Sequence, residues 1–154
     1  MRTLIGGWSL NAISTIYTGQ PFTIGSGVDN ARTGAGGQRA DLVADPYFSG
    51  NRTHQEIITE YHRKAAFAPN ALGTYGNLGR NNFIGPGFAN LDLGLVKGFL
   101  VKERFNAQLR FEMFNSLNHT NFNNPTASQN SGNFMKINSA GDPRILQLAL
   151  RFTF

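Results

Sequence analysis

Residues 144–154 read RILQLALRFTF, and their reading decides the fold. Leu146, Leu148, Leu150, Phe152 and Phe154 alternate with Gln147, Ala149, Arg151 and Thr153. Successive side chains of a strand point to opposite faces, so one face here is wholly apolar and the other is mixed and carries a charge. A helix would scatter the same residues around its circumference. Chain ends are ordinarily polar and loosely specified, yet this alternation runs to the last residue. The segment alone leaves two partners open for the apolar face, a protein core or lipid.

The same period recurs upstream. In FNAQLRFEMFN, residues 105–115, Phe105, Ala107, Leu109, Phe111 and Met113 fall opposite Asn106, Gln108, Arg110 and Glu112. A helix would bring Glu112 to within ~20° of Phe105, on the apolar stripe, whereas a strand has no such conflict. NLDLGLVKGF places Leu91, Leu93 and Leu95 opposite Asp92 and Gly94. GWSLNAISTIYTG alternates less cleanly, with Trp8, Leu10, Ala12 and Ile16 against Asn11, Thr15 and Tyr17. Four principal strands are expected, over 8–18, 89–99, 104–115 and 144–154. Each has the ~9–11 residues that cross a bilayer as a tilted strand.

The connections are uneven. LVKER marks a tight hairpin between the second and third strands, while an Asn-, Ser- and Gly-rich stretch, 116–143, separates the third from the fourth. Residues 19–88 separate the first from the second. Structureless loops of such length count against a compact soluble domain. Short turns on one side and long loops on the other are what an up-and-down transmembrane barrel requires. With the terminus on the short-turn side, Phe154, Phe105, Phe99 and Trp8 fall at one rim and Tyr17, Phe88 and Phe114 at the other, as aromatic belts do.

Composition excludes several classes. The 154 residues contain no cysteine, so neither a disulfide framework nor a cysteine metal site is available. No apolar run approaches the ~20 residues of a membrane helix; LGLVKGFLV is broken by Lys97. MRTLIGGWSL lacks an apolar stretch of signal-peptide length. The net charge of +5 comes from scattered residues, Arg63-Lys64 being the only adjacent basic pair, so no nucleic-acid surface is expected.

The loops carry few chemical signals. THQEIITEYHRK opens with Thr53 and Glu56 at capping-box spacing, and Ile57, Ile58 and Tyr61 form one apolar side of a short surface helix. PFTIGSGV reads as a strand extension or hairpin arm, and GRNNFIGPG as a turn-rich approach to the second strand. TGAGGQ, 33–38, lacks the lysine and helix of a phosphate loop and reads as flexible. His54, His62 and His119 read as loop-surface residues, and Asp29, Asp41 and Asp45 as solvated turn residues that match no calcium loop. No nucleophile–base set stands out, so no enzyme, cofactor or metal is expected.

With strands and loops placed, the chain resembles the C-terminal end of TonB-dependent outer-membrane receptors. It is closest to the Oar-like branch that often begins with a carboxypeptidase-regulatory-like domain. The resembling stretches are GGWSLNAISTIYTGQPFT, GVDNARTGAGGQRADLVADP, FAPNALGTYGNLGRNNFIGPGFANLDLGLVK, RFNAQLRFEMFNSLNHTNFNNP and SAGDPRILQLALRFTF. The resemblance implies an all-β, antiparallel, up-and-down barrel segment in the Gram-negative outer membrane, with its terminus periplasmic. It implies lipid-facing Leu91, Leu93, Leu95, Ala107, Leu109, Phe111 and Met113, and lumen-facing Asp92, Gln108, Arg110, Glu112 and Arg151. Leu146, Leu148, Leu150, Phe152 and Phe154 match the terminal pattern read by the barrel-assembly machinery.

Such receptors resemble plugged barrels of about twenty-two strands, and residues 1–154 supply about four. The plug, the TonB-contacting segment and the preceding strands are therefore expected elsewhere. Implied partners are outer-membrane lipid, the assembly machinery, the remaining barrel and plug, and an unidentified small nutrient. The other reading left open by the residues is a small soluble β-sandwich that binds a carbohydrate or peptide through its loops.

Overall fold

A computed structural model describes residues 5–102 and 105–154. Its long strands are β1 (Trp8–Tyr17), β6 (Phe88–Lys102), β7 (Phe105–Phe114) and β8 (Ile145–Thr153). They form one antiparallel sheet in the order β1-β6-β7-β8, each within three residues of its expected bounds at either end. The short elements are β2 (Pro21–Phe22), β3 (Asp41–Leu42), helix α1 (His54–Thr59), a 3-10 turn (Lys64–Ala66), β4 (Phe67–Ala68) and β5 (Phe83–Ile84). No helix among the described residues is long and apolar enough to cross a membrane, which says nothing of a strand-built barrel.

Two compact units result. The first takes residues up to Tyr17, Phe88–Asn121 and Asp142–Phe154, and holds the large sheet. β6 pairs with β1 over Phe88 to Lys97 and with β7 over Leu93 to Lys102, so the two ladders are offset along it. Lys102 pairs with Phe105, which makes the β6–β7 connection the expected tight hairpin; Glu103 and Arg104, which lie between them in sequence, are outside the described residues. β7 ends where Asn115 takes a positive φ of 48°, a conformation asparagine tolerates better than most residues. The buried Asn115 side chain accepts from the His119 amide at 3.0 Å and donates to the carbonyls of His119 and Asp142 at 2.9 and 3.2 Å. This knot satisfies backbone groups that the ended ladder leaves without partners. At the other end of β6, Gly98 donates to the Gly7 carbonyl at 2.8 Å. Gly7 has φ +77°, and a Cβ there would lie 2.8 Å from the Gly98 oxygen, so only glycine fits without strain.

The second unit comprises Thr18–Gly87 and Phe122–Gly141. Its core is Phe22, Ile24, Ala40, Ala66, Phe67, Leu78, Phe83, Phe134 and Met135, all buried. Large apolar side chains each contribute ~1.5–3 kcal/mol when removed from water, so this is a folded loop unit. β2 pairs with β5, and β3 with β4. Ser26 donates its amide to Gln38, Ala40 to Ile24, Gly25 to Ala127 and Gln129 to Gly25, so residues 24–26 run between 38–40 and 127–129.

Hydrogen bonds hold both ends of the glycine-rich loop at 33–38, while Ala35, Gly36 and Gly37 between them are exposed. Asp29 accepts from the Thr33 and Gly34 amides at 3.1 and 2.8 Å, and from the Gln38 side chain. The Gly34 amide, then that of Thr33, hold the Asp29 carboxyl below its ordinary range. Gln38 also accepts from the Ala31 amide and from Asn70, both at 3.0 Å. The capping box forms as expected: Glu56 accepts from the Thr53 amide at 2.7 Å, and Thr53 accepts from the Glu56 amide at 3.3 Å. Arg52 closes the other end of α1 by donating to the carbonyls of Glu56, Glu60 and Tyr61.

Candidate functional site

The large sheet is the candidate site, and hydrogen-bond register sorts its residues into two faces. On one face the rows are Ala12–Leu93–Met113–Leu146, then Leu10–Leu95–Phe111–Leu148, then Trp8–Lys97–Leu109–Leu150, then Phe99–Ala107–Phe152. Leu91, opposite Ser14, continues it. Every residue expected to face lipid is here, together with Leu146, Leu148, Leu150 and Phe152. Phe154 follows one residue past the end of β8 and is 94% exposed.

This face is open along its edges. Leu10 is 71% exposed and Leu148 is 70% exposed. A soluble sandwich covers the inner face of each sheet with a second sheet; here large aliphatic side chains in the outer strands remain bare. Water does not tolerate a continuous apolar surface of this kind on a monomer.

The opposite face is polar and mixed. Its rows include Asn11–Gly94–Glu112–Gln147, Ser9–Val96–Arg110–Ala149 and Gly98–Gln108–Arg151. Asp92 lies on the same face, opposite Ile13. Arg110 and Glu112, two residues apart on β7, form an ion pair at 3.0 Å. Gln108 stands opposite Arg151. Asp92 joins neither charged group: its Oδ1 accepts from the Asn90 side chain at 2.8 Å and from the Asn115 amide at 2.9 Å. It thereby ties β6 to the turn that ends β7. The five polar candidates share a face without converging on one reactive point.

The aromatics divide less simply than a two-belt pattern. Tyr17 and Phe88 stack at 4.7 Å where β1 and β6 meet the loops, on the polar face. Phe114 lies at the loop end of β7, opposite Ile145. At the other end Trp8 aligns with Lys97, inward of the hairpin. The Phe105 side chain lies outside the described residues.

Sequence reading passed over Lys97 as a mere interruption. Continuing the period from Leu91, Leu93 and Leu95 would have placed it on the apolar face. It is 2% exposed, its Nζ lies 4.8 Å from the Trp8 ring centre and 5.4 Å from that of Phe99, and it donates to the Gly6 carbonyl. Aromatic faces and a carbonyl are the means by which an ammonium is accommodated on such a surface.

The loop candidates disperse. Asp41 accepts from the Asn77 amide, a link between segments distant in sequence, and Asp45 accepts from the Tyr47 amide to close a local turn, so neither joins Asp29. His54 meets Phe122 edge-on at 6.3 Å, and His119 hydrogen-bonds Asn121 at 3.1 Å. His62, expected at the surface, is buried instead, because four aromatic side chains converge on it. Among the described residues, no three metal-ligating side chains gather.

A family model described as "Outer membrane beta barrel domain" matches residues 1–147. No curated protein and no solved structure matches the chain. The match spans nearly all of the chain and accords with a single antiparallel sheet that is apolar on one side, polar on the other and joined by one short and two long connections. The chain belongs to the outer membrane beta barrel domain family.

Proposed function

We propose that this segment of an outer-membrane barrel serves a TonB-dependent, Oar-like receptor that takes up a scarce nutrient. In this reading the apolar rows face lipid and the rows of Asp92, Gln108, Arg110, Glu112 and Arg151 face the lumen, with the terminus at Phe154 periplasmic. The carrying observation is the apolar face, continuous across four strands and left bare in β1 and β8. Every backbone group in lipid must be paired, and a strand wall achieves that only as part of a closed barrel. The long connections on one side supply ligand-capturing surface, and the folded core of the loop unit makes that surface rigid. The barrel-assembly machinery reads the terminal apolar alternation, and the wall acts with the remaining barrel and plug.

The test is disruption of the encoding gene in its native host, with growth followed on single limiting nutrients and TonB energisation switched on and off. The expected result is an outer-membrane protein whose loss abolishes growth on one nutrient class only when TonB is energised. Recovery in the soluble fraction, or unchanged growth on every nutrient, overturns the reading.

A further inference from the structure

The loop unit contains a buried titratable ring that the barrel wall does not use. His62 is 7% exposed. Tyr61 lies 4.8 Å from it, Phe83 5.2 Å, Tyr47 5.3 Å and Phe22 6.3 Å, measured between ring centres. These rings come from β2, β5 and the two flanks of α1. The buried Nε2 of the imidazole has no hydrogen-bond partner among the described residues. A neutral ring tolerates this, since one nitrogen donates and the other carries only a lone pair. An imidazolium would have a second N–H with no acceptor inside an aromatic cage, and a buried charged donor without a partner is costly.

The charged groups nearby do not relieve that cost. Arg52 and Arg63 hold their guanidiniums 3.9 and 5.2 Å from the centre of the Phe48 ring, so the adjacent charge is positive. Lys64 follows directly in sequence. The acids are engaged: Glu60 accepts from the Lys64 amide at 2.6 Å, and Glu56 is locked in the capping box. The Tyr61 hydroxyl donates to the Ile84 carbonyl at 3.3 Å, and burial pushes its ionisation up, so it offers no negative charge. Tyr47 presents its ring edge-on.

We propose that His62 is an acid-sensitive latch of the loop unit, holding residues 46–48, 60–63 and 83–84 together while neutral and releasing them when it takes a proton. Burial, then the Arg52 charge, holds the imidazole below its ordinary value of 6.5, with the nearby Pro46 backbone opposing in part. The folded unit thus binds this proton less readily than the opened one. Its full stability is present above 6.5 and is lost as pH falls from there toward the folded value. One proton sets the slope, so the open fraction grows by at most about tenfold per pH unit in that window.

The test is amide exchange on the full chain in detergent micelles, corrected for intrinsic exchange, from about pH 7.5 to about pH 5. The reporters are the Tyr61 and Arg63 amides, which donate to the Met135 and Pro46 carbonyls. Protection is expected to fall by up to about tenfold per pH unit as His62 charges, and to stay level in His62→Phe, which keeps a ring but cannot titrate. Level protection in the unsubstituted chain, or an equal fall in the variant, overturns the proposal. A direct magnetic-resonance titration of the unsubstituted His62 ring guards against a variant that fails to fold. A midpoint at or above 6.5 overturns the latch, and a midpoint clearly below it supports the latch.

Discussion

The ammonium of Lys97 and the indole of Trp8 face each other at 4.8 Å from directly opposed positions on β6 and β1. A cation thereby sits in an apolar row without meeting the surroundings of that row. Such a contact is worth ~0.5–2 kcal/mol, more when desolvated. Trp8→Leu leaves the charge with fewer partners, whereas Lys97→Met removes the charge itself. In urea unfolding from detergent or lipid, Trp8→Leu is expected to cost more than Lys97→Met. The double variant is expected to recover part of that loss, with a coupling of ~0.5–2 kcal/mol. Strict additivity would show that the ring and the ammonium do not support each other.

The two faces of β7 differ in what they accept. If Leu109 meets lipid, Leu109→Arg costs ~2–4 kcal/mol near the midplane, and it also faces Lys97 across the ladder. Gln108→Arg adds its charge on the polar face, beside Arg151, where solvent screens it. Membrane assembly is expected to fail for the first and persist for the second. Equal tolerance in a vesicle-insertion assay refutes the face assignment.

Phe154 extends the apolar alternation one residue past the end of β8 and is highly exposed. If assembly machinery reads it, Phe154→Ser slows insertion of the barrel while synthesis continues. Heat-modifiable mobility on a gel reports the folded fraction in a time course. A time course identical to that of the unsubstituted protein removes the terminal signal.

The loop unit has its own core, and Phe134 lies in it at 5% exposure, edge-on to Phe67 at 5.7 Å. Phe134→Ala is expected to destabilise the unit by ~3–5 kcal/mol. Amide protection should fall at Ala40, Tyr61 and Leu78 and stay unchanged at Gly94 and Phe111 of the sheet. A parallel loss in both would mean that the two cores fold as one.

The helix cap gives a smaller and more local effect. Thr53→Ala removes one partner of the capping box and is expected to cost ~1 kcal/mol. The loss should appear as faster exchange at the amides of Glu56 and Ile57, which donate to the Thr53 side chain and carbonyl. No change at either amide would show that Arg52 alone fixes the helix.

The strands were legible because their signal is local. Leu146 to Phe152 and Ala107 to Met113 alternate within a few residues, and register then follows from which face each set must share. The capping box was legible for the same reason. The loop unit was not: Phe22, Phe67, Phe83 and Phe134 lie far apart in sequence, with no period to join them. Polar loops looked soft, although Gln38 and Asn115 each tie together segments that sequence spacing cannot relate. His62 looked superficial because nothing in THQEIITEYHRK shows that Phe22 and Phe83 will close over it.

β6 is longer than its neighbours, and its partnerships are staggered: β1 occupies it from Phe88 to Lys97, β7 from Leu93 to Lys102. The wall is therefore built as a staircase. Strands inclined to a barrel axis require such a slide from one ladder to the next. A plane of constant depth then cuts obliquely through the rows, meeting each successive strand at a different rung. Trp8 and Phe99, separated by a rung on the hydrogen-bond ladder, can then stand at nearly the same height. Depth along this wall is read on the diagonal.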